Sequence, residues 1–125
     1  MGHGSVTVFG KKYNVHESYG RLRLVINNVN LTEISDIEGL SKLNKLDALD
    51  LSNNKITEIY DLESLECLKQ LLLNKNRINK IKGLEKLSNL EWIEMNKNKL
   101  TIVEGLDKQT KLIKLSLASI LIQMK

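Results

Sequence analysis

A unit of 22 residues recurs along this chain, and this repeat restricts the fold more than any other feature of the sequence. Leucine opens each unit, and a single asparagine follows eight positions later. The opening leucines are Leu46, Leu68, Leu90 and Leu112, and the asparagines are Asn54, Asn76 and Asn98. A fixed period of this length predicts a solenoid of stacked coils rather than a globule built around one pocket.

Composition limits the size, compartment and chemistry of the protein. The 125 residues, 42% of them hydrophobic, suffice for one domain but not for two independent cores. There are 19 basic and 15 acidic residues, interspersed along the chain, which permits acidic partners without implying nucleic acid. Cys67 is the only cysteine, so no intramolecular disulfide can form. Because neither a membrane span nor a signal-peptide pattern is found, the chain is expected to be cytoplasmic.

The pattern inside a unit predicts its local structure. Apolar and polar residues alternate after each opening leucine, as in Leu49, Asp50 and Leu51, and this alternation predicts a short strand with one buried face. The asparagine falls where the strand turns away, so its amide can donate to and accept from backbone groups that lack partners. Beyond it, apolar residues recur at every third position, which favours 3₁₀-like or extended turns over an α-helix.

The first unit is longer than the others. Residues 30–40 match residues 55–65 at an offset of 25, so this unit is predicted to begin near residue 21 and to carry one extra triplet on its convex side. A 22-residue register is the alternative, and it places Asn27 at a core leucine position. We prefer the 25-residue register, because it keeps Leu24 and Ile26 inward and places Val29 at the asparagine position.

The two ends of the repeat are expected to be covered differently. Two alternating apolar segments flank Gly10, which can adopt the positive φ of a tight reversal, and they predict a β-hairpin that covers the first unit. The fifth unit is incomplete, and Ile120 stands at its asparagine position. We therefore predict a capping tail and hairpin in residues 1–20 and a repeat region of about five units in residues 21–125, which together form a single structural domain.

These residues resemble the leucine-rich-repeat superfamily, specifically its 22-residue class, which includes repeats of a phosphatase regulatory subunit, internalins and a dynein light chain. The resemblance covers about residues 21–120. It implies an α/β, right-handed solenoid with a parallel sheet on its concave side and 3₁₀ or irregular segments on its convex side. It also implies protein–protein recognition, without naming a partner or requiring a cofactor. The first and last units depart from the family pattern because they lack the asparagine, and the last also lacks a polar cap.

Side-chain alternation predicts which residues point outward from the sheet, onto what we call the concave face. They are the third, fifth and seventh residues of each unit, and they form three columns. Trp92, near Leu72 of the preceding unit, is the predicted binding hot spot, although packing over the sheet edge is the alternative. The predicted partner-binding residues are Asp50, Gln70, Leu72, Asn74, Trp92, Glu94, Asn96 and Lys114.

A second surface is predicted from charge. The eighth and tenth positions of units two to four contain no acid and five cations, namely Lys55, Lys75, Arg77, Lys97 and Lys99. These five residues are expected to line one rim of the solenoid, which we call the basic rim. They are either solvated charges that maintain solubility or a docking site for an acidic or phosphorylated segment.

Rival functions have less support. Catalysis by Asp50 and Glu94 is disfavoured, because their strands are about 10 Å apart on an open sheet, and His3 and His16 are not part of any metal-ligand cluster. Nucleic-acid binding through the basic rim lacks stacking aromatics. A homodimer formed through the C-terminal sheet edge is compatible with partner binding. The sequence therefore predicts a non-catalytic adaptor or scaffold that binds a protein segment on its concave face.

Overall fold

The computed structural model describes residues 2–118 and, for the backbone alone, residues 123–124. Short strands dominate it, and two 3₁₀ turns, Ile34–Asp36 and Leu40–Lys42, lie in the first coil. The strands are β1 (Ser5–Val8), β2 (Lys11–Asn14), β3 (His16–Ser18), β4 (Arg21–Val25), β5 (Ile37–Glu38), β6 (Ala48–Asp50), β7 (Gln70–Leu72), β8 (Trp92–Glu94), β9 (Ile102–Val103), β10 (Lys114–Ser116) and β11 (Gln123–Met124). No helix of this described part is long and apolar enough to cross a membrane.

One six-stranded sheet organises the solenoid. Its order is β10-β8-β7-β6-β4-β3, and every pair except β3 with β4 is parallel. Leu49 lies opposite Leu71, which lies opposite Ile93, so successive coils are 22 residues apart. Leu24 lies opposite Leu49, an offset of 25. Both the solenoid and the longer first unit are therefore confirmed.

The core is a stack of inward leucines and isoleucines. Leu49, Leu71 and Ile93 are fully buried, as are Leu51 and Leu73 on the next inward position of their coils. Side chains alternate along each strand, so each coil contributes two inward residues from the strand and further ones from the convex side. A single cluster continues from the first coil to the fourth.

An asparagine ladder runs through the interior, as the repeat predicted. The Asn76 Oδ1 accepts the Ile56 N–H at 3.0 Å, and its Nδ2 donates to the carbonyls of Leu51 at 3.0 Å and Leu73 at 3.2 Å. Asn54 and Asn98 make the corresponding bonds. Each asparagine therefore satisfies the backbone of the preceding coil. No coil precedes the first one, so no backbone groups there require a side-chain amide. This explains why Val29 can occupy the asparagine position of the first coil. Ile120, at the last such position, lies outside the described residues.

The convex side is thin because it is built from tight turns. Leu65 donates its N–H to the carbonyl of Leu62 at 3.0 Å, a three-residue closure of the 3₁₀ type. Gly83 has a φ of +77°, and a Cβ on it would lie 2.5 Å from the Ile59 carbonyl oxygen of the preceding coil. Glycine thus permits both the left-handed backbone and the close approach of the coils.

Gln109, which replaces a leucine, also has a structural role. It is buried, and its Nε2 donates to the carbonyls of Leu84 at 2.8 Å and Leu87 at 3.2 Å. Its amide therefore satisfies backbone acceptors of the preceding coil, as the ladder asparagines do. In the sequence, Gln109 stands where the two preceding units have Leu65 and Leu87, and this substitution alone does not predict its hydrogen bonds.

The N-terminal residues cover the first coil on two sides. β1 and β2 form the predicted hairpin, and the turn residues Phe9 and Gly10 have φ values of 50° and 80°. β1 also pairs with β5 on the convex side. A second hairpin, β3 with β4, adds an antiparallel strand to the large sheet through the turn at Tyr19 and Gly20. The repeat pattern of the sequence does not predict this second hairpin.

The C-terminal side is less enclosed. β10 pairs with β8, and the backbone of β11 pairs in parallel with β9, so the fifth coil continues onto the convex side. Ile113 is 83% exposed and Leu115 is 36% exposed. Leu121 and Ile122, which an incomplete fifth unit is expected to leave uncovered, lie outside the described residues.

Candidate functional site

The outward residues of the large sheet form the predicted columns. Strand pairing places the third positions of successive units in one row and the fifth positions in the next. The first column is Arg23, Ala48, Gln70, Trp92 and Lys114, and the second is Val25, Asp50, Leu72, Glu94 and Ser116. Leu72 lies opposite Glu94, so Trp92 and Leu72 are diagonal neighbours, and Trp92 is flanked directly by Gln70 and Lys114.

Glu94 is the centre of a polar cluster on this face. Its carboxylate accepts hydrogen bonds from the Trp92 Nε1 at 2.6 Å and the Asn74 Nδ2 at 2.9 Å, and it lies 3.6 Å from the Lys114 Nζ. The pKa of Glu94 lies below its ordinary value, mainly because its carboxylate accepts the hydrogen bond from Asn74. The hydrogen bond from Trp92 and the charge of Lys114 also lower this pKa, whereas partial burial raises it. The carboxylate is therefore a fixed negative charge at neutral pH.

Two interactions position the indole of Trp92. Its N–H is held by Glu94, and the Lys114 Nζ lies 4.2 Å from the centroid of its ring, which is the geometry of a cation–π contact. The side chain is half-buried, as is that of Leu72. The ring is thus fixed against the concave face before any partner arrives, and part of it stays accessible.

Asp50 forms a second, smaller cluster towards the N-terminal side. Its carboxylate lies 3.5 Å from the Arg23 Nη2 and accepts the Ser52 N–H at 3.0 Å. Asp50 is only 8% exposed. Both acids of the second column are therefore paired with a cation of the first column, on either side of Leu72.

The third column has a structural role that the sequence analysis did not recognise. Ser52 Oγ accepts the Asn74 N–H at 3.1 Å, the Asn74 Oδ1 accepts the Asn96 N–H at 2.9 Å, and the Asn96 Oδ1 accepts the Ala118 N–H at 2.7 Å. This outer ladder links each coil to the next. Its signal in the sequence is the recurrence of Ser or Asn at the seventh position of the unit.

The outer ladder changes the expected roles of the predicted partner-binding residues. Asn74 and Asn96 use side-chain atoms for it, and Asp50 is almost fully covered. The accessible part of the set lies on strands β7, β8 and β10 of the concave face, where the side chains of Gln70, Leu72, Trp92 and Glu94 are half-buried and that of Lys114 is exposed.

All five residues of the basic rim are exposed. Lys75 and Lys97 directly follow Asn74 and Asn96 of the outer ladder and have φ values of 54° and 58°. The N–H groups of Arg77 and Lys99 donate to carbonyls of the preceding coil at 2.8 Å. The rim therefore borders the concave face and has a regular backbone beneath it.

Within the part of the chain that the structure describes, no group of three or more His, Cys, Asp or Glu side chains could hold a metal ion. Cys67 is a free thiol that is half-buried.

Comparison with known proteins agrees with the geometry. A sequence profile described as "Leucine-rich repeat" matches residues 27–124. A search of curated proteins returned no match.

Several solved structures resemble the fold. Internalin C2 from Listeria monocytogenes is 26% identical, with a TM-score of 0.67, over 78% of this chain and 42% of that one. An internalin, InlF, from the same organism is 30% identical, with a TM-score of 0.67, over 76% and 27% of the two chains. A chain of the Drosophila melanogaster SNF/U2A' complex is 32% identical, with a TM-score of 0.65, over 79% and 59%. This chain therefore spans only part of the length of each.

Proposed function

Because this chain belongs to the leucine-rich-repeat family, we propose that it is a non-catalytic interaction module that binds a segment of a partner protein on its concave face. The observation that carries the proposal is the cluster of Trp92, Glu94 and Lys114 on strands β8 and β10 of that face. Leu72, diagonal to the indole, would provide the second apolar contact.

The physical support lies in how the cluster is preorganised. A large aromatic side chain contributes strongly to binding when its conformation is already fixed, since less side-chain entropy is then lost on association. The indole of Trp92 meets that condition through its hydrogen bond and its cation–π contact. Gln70 and Lys114, which flank it in the first column, would contribute polar contacts that set the register of the bound segment.

The comparisons support a protein partner in general terms. The Drosophila relative was solved in a complex of SNF and U2A'. Repeat proteins of this kind use an extended surface rather than a closed cavity, which suits the recognition of a polypeptide. The identity of the partner of this chain is a separate question that the experiment below addresses.

The test is affinity purification followed by measurement of the dissociation constant for the partner that is recovered. Trp92→Ala should weaken that complex by about thirtyfold, as expected for a hot-spot residue worth about 2 kcal/mol. Phe9→Ala is the matched control, because Phe9 is a 61% exposed aromatic in the N-terminal turn, away from the concave face. Equal affinity for Trp92→Ala and wild type would refute the proposal.

Self-association is a second candidate, favoured by one observation. Ile113 is 83% exposed beside β10, the last strand that the structure describes in the large sheet. Two chains would pair through this end about a two-fold axis. Light scattering should show a dimer for the wild type and a monomer for Ile113→Lys. A monomeric wild type at high concentration would exclude it.

A further inference from the structure

We propose that the basic rim binds a segment rich in aspartate and glutamate that continues the bound polypeptide beyond the concave face. This inference rests on the proposed function, because it extends the same bound chain across the adjoining surface. The rim comprises Lys55, Lys75, Arg77, Lys97 and Lys99, as defined above.

The first observation is that the rim cations lack acidic partners. The structure has four salt bridges within residues 2–118, and they use Arg23, Lys69, Lys82 and Lys114. None of the five rim residues has a carboxylate within 4.0 Å in that part of the chain. Like charges on coils about 4.8 Å apart repel one another, so an acidic ligand would remove an unfavourable interaction as well as add a favourable one.

The second observation is that two of these cations occupy unfavourable backbone positions. Lys75 and Lys97 have left-handed φ values of 54° and 58°, whereas the equivalent residue of the second coil is Asn53, at 60°. Asparagine and glycine adopt this conformation more readily than lysine does. The backbone therefore gives no reason for lysine at these positions, whereas a ligand that needs positive charge does.

The third observation is the continuity of the two surfaces. Lys75 and Lys97 each follow a residue of the outer ladder, so the rim begins where the third column of the concave face ends. A polypeptide that passes over Trp92 and Leu72 and leaves on this side must cross the rim. The same partner can therefore contact both surfaces, which raises the effective concentration of its acidic segment at the rim.

The residue types suit carboxylates and disfavour nucleic acid. Four of the five cations are lysines, which act as point charges and can pair with a carboxylate without a fixed bidentate geometry. Single-stranded nucleic acid also needs aromatic stacking. Trp92 lies in the first column, on the far side of the concave face from the rim, and already contacts Glu94 and Lys114.

The test measures binding of a fluorescein-labelled oligoglutamate peptide to the whole chain by fluorescence anisotropy, at low and at physiological salt. The rim variant Lys75→Gln/Arg77→Gln/Lys97→Gln should bind the peptide at least about tenfold more weakly than wild type. The control variant Lys42→Gln/Lys86→Gln/Lys108→Gln makes the same change in net charge at exposed positions outside the rim, and it should bind within about twofold of wild type. Wild-type binding should also weaken as salt increases.

Three outcomes would overturn the inference. Equal weakening by the rim and control variants would show a response to net charge alone. Tighter binding of oligothymidylate than of oligoglutamate, lost in the rim variant, would assign the rim to nucleic acid. Binding of a phosphoserine peptide without binding of oligoglutamate would assign it to phosphate.

Affinities of the variants for the partner recovered with the wild type distinguish this inference from the proposed function. If Trp92→Ala weakens that complex but the rim variant does not, the concave-face proposal stands and the rim inference fails. If the rim variant weakens it but Trp92→Ala does not, the concave-face proposal fails instead. If both variants weaken it, both proposals are supported.

Discussion

The two ends of the solenoid shield their inward side chains from solvent to different extents. Leu24 and Leu115 occupy the same inward column, yet Leu24 is fully buried and Leu115 is 36% exposed. At the N-terminal end, β1 covers the convex side through β5, and β3 covers the edge of the large sheet. At the other end, within the described residues, the corresponding covering is the backbone of β11 beside β9.

This difference shows that a coil is stabilised mainly by its neighbours. The same inward leucine is either core or surface, depending on whether another layer of chain lies against it. Buried backbone groups also depend on a neighbouring coil, since the side chain of each ladder asparagine accepts a hydrogen bond from an N–H group of the preceding coil. We therefore expect stability to decline from the N-terminal coils towards the fifth, and the following predictions test that gradient.

The largest effect should come from truncating the two equivalent leucines. Leu24→Ala leaves a cavity at a fully buried site, and we expect it to lower the free energy of unfolding by about 3 kcal/mol. Leu115→Ala removes a side chain that is already partly in water, so we expect a loss of about 1 kcal/mol. Urea denaturation followed by circular dichroism measures both. Equal losses would show that the two ends are packed alike.

Removal of a ladder amide should have the next largest effect. Asn54 accepts the N–H groups of Val29 and Leu31 and donates to the Ile26 carbonyl at 2.8 Å. Asn54→Ala leaves these buried groups of the first coil without partners, and we expect a loss of about 2 kcal/mol in the same denaturation experiment. Asn79→Ala, at an exposed position, is the control and should change stability by less than about 0.5 kcal/mol. A small effect at Asn54 would indicate that water replaces its amide.

A substitution in the turn of the N-terminal hairpin should have a smaller effect on stability. Gly10 has a φ of +80° with open space around it, so Gly10→Ala costs only backbone strain, about 1 kcal/mol. If the hairpin protects the first coil specifically, amide hydrogen exchange should accelerate in β1, β4 and β5 and stay unchanged in β8. Uniform acceleration along the solenoid would instead show that the hairpin and all coils unfold as one unit.

The smallest effect concerns the Glu94 cluster near the C-terminal end. Because its folded pKa lies below the unfolded value of 4.5, the carboxylate stabilises the fold above that pH, and the contribution is lost as pH falls through the folded pKa. Glu94→Gln should therefore be less stable than wild type at neutral pH, by under about 1 kcal/mol, and the difference should shrink in acid. Thermal melts of both proteins between neutral and acidic pH check this. A difference independent of pH would argue for a purely steric cause.

The sequence predicted the regular features of the fold well, because each follows from a period. The repeat of leucines gave the inward columns, and the repeat of asparagines gave the inner ladder. The match of residues 30–40 to residues 55–65 gave the 25-residue first unit. The second N-terminal hairpin was missed, because the short polar strand β3 is not periodic with the units. The roles of Gln109 and of the outer ladder were missed for a related reason. A polar residue at a leucine position, or at the end of a strand, does not reveal with which backbone groups of a neighbouring coil its side chain forms hydrogen bonds.

The candidate site shows where prediction from sequence ends. Alternation alone determined that Asp50, Leu72 and Glu94 share one column and that Trp92 points outward, because side chains on a strand must alternate. Only the tertiary structure decided that Glu94 accepts bonds from Trp92 and Asn74 and lies beside Lys114. These interactions join side chains up to 20 residues apart. Their existence depends on coil spacing and rotamers, which local patterns do not encode.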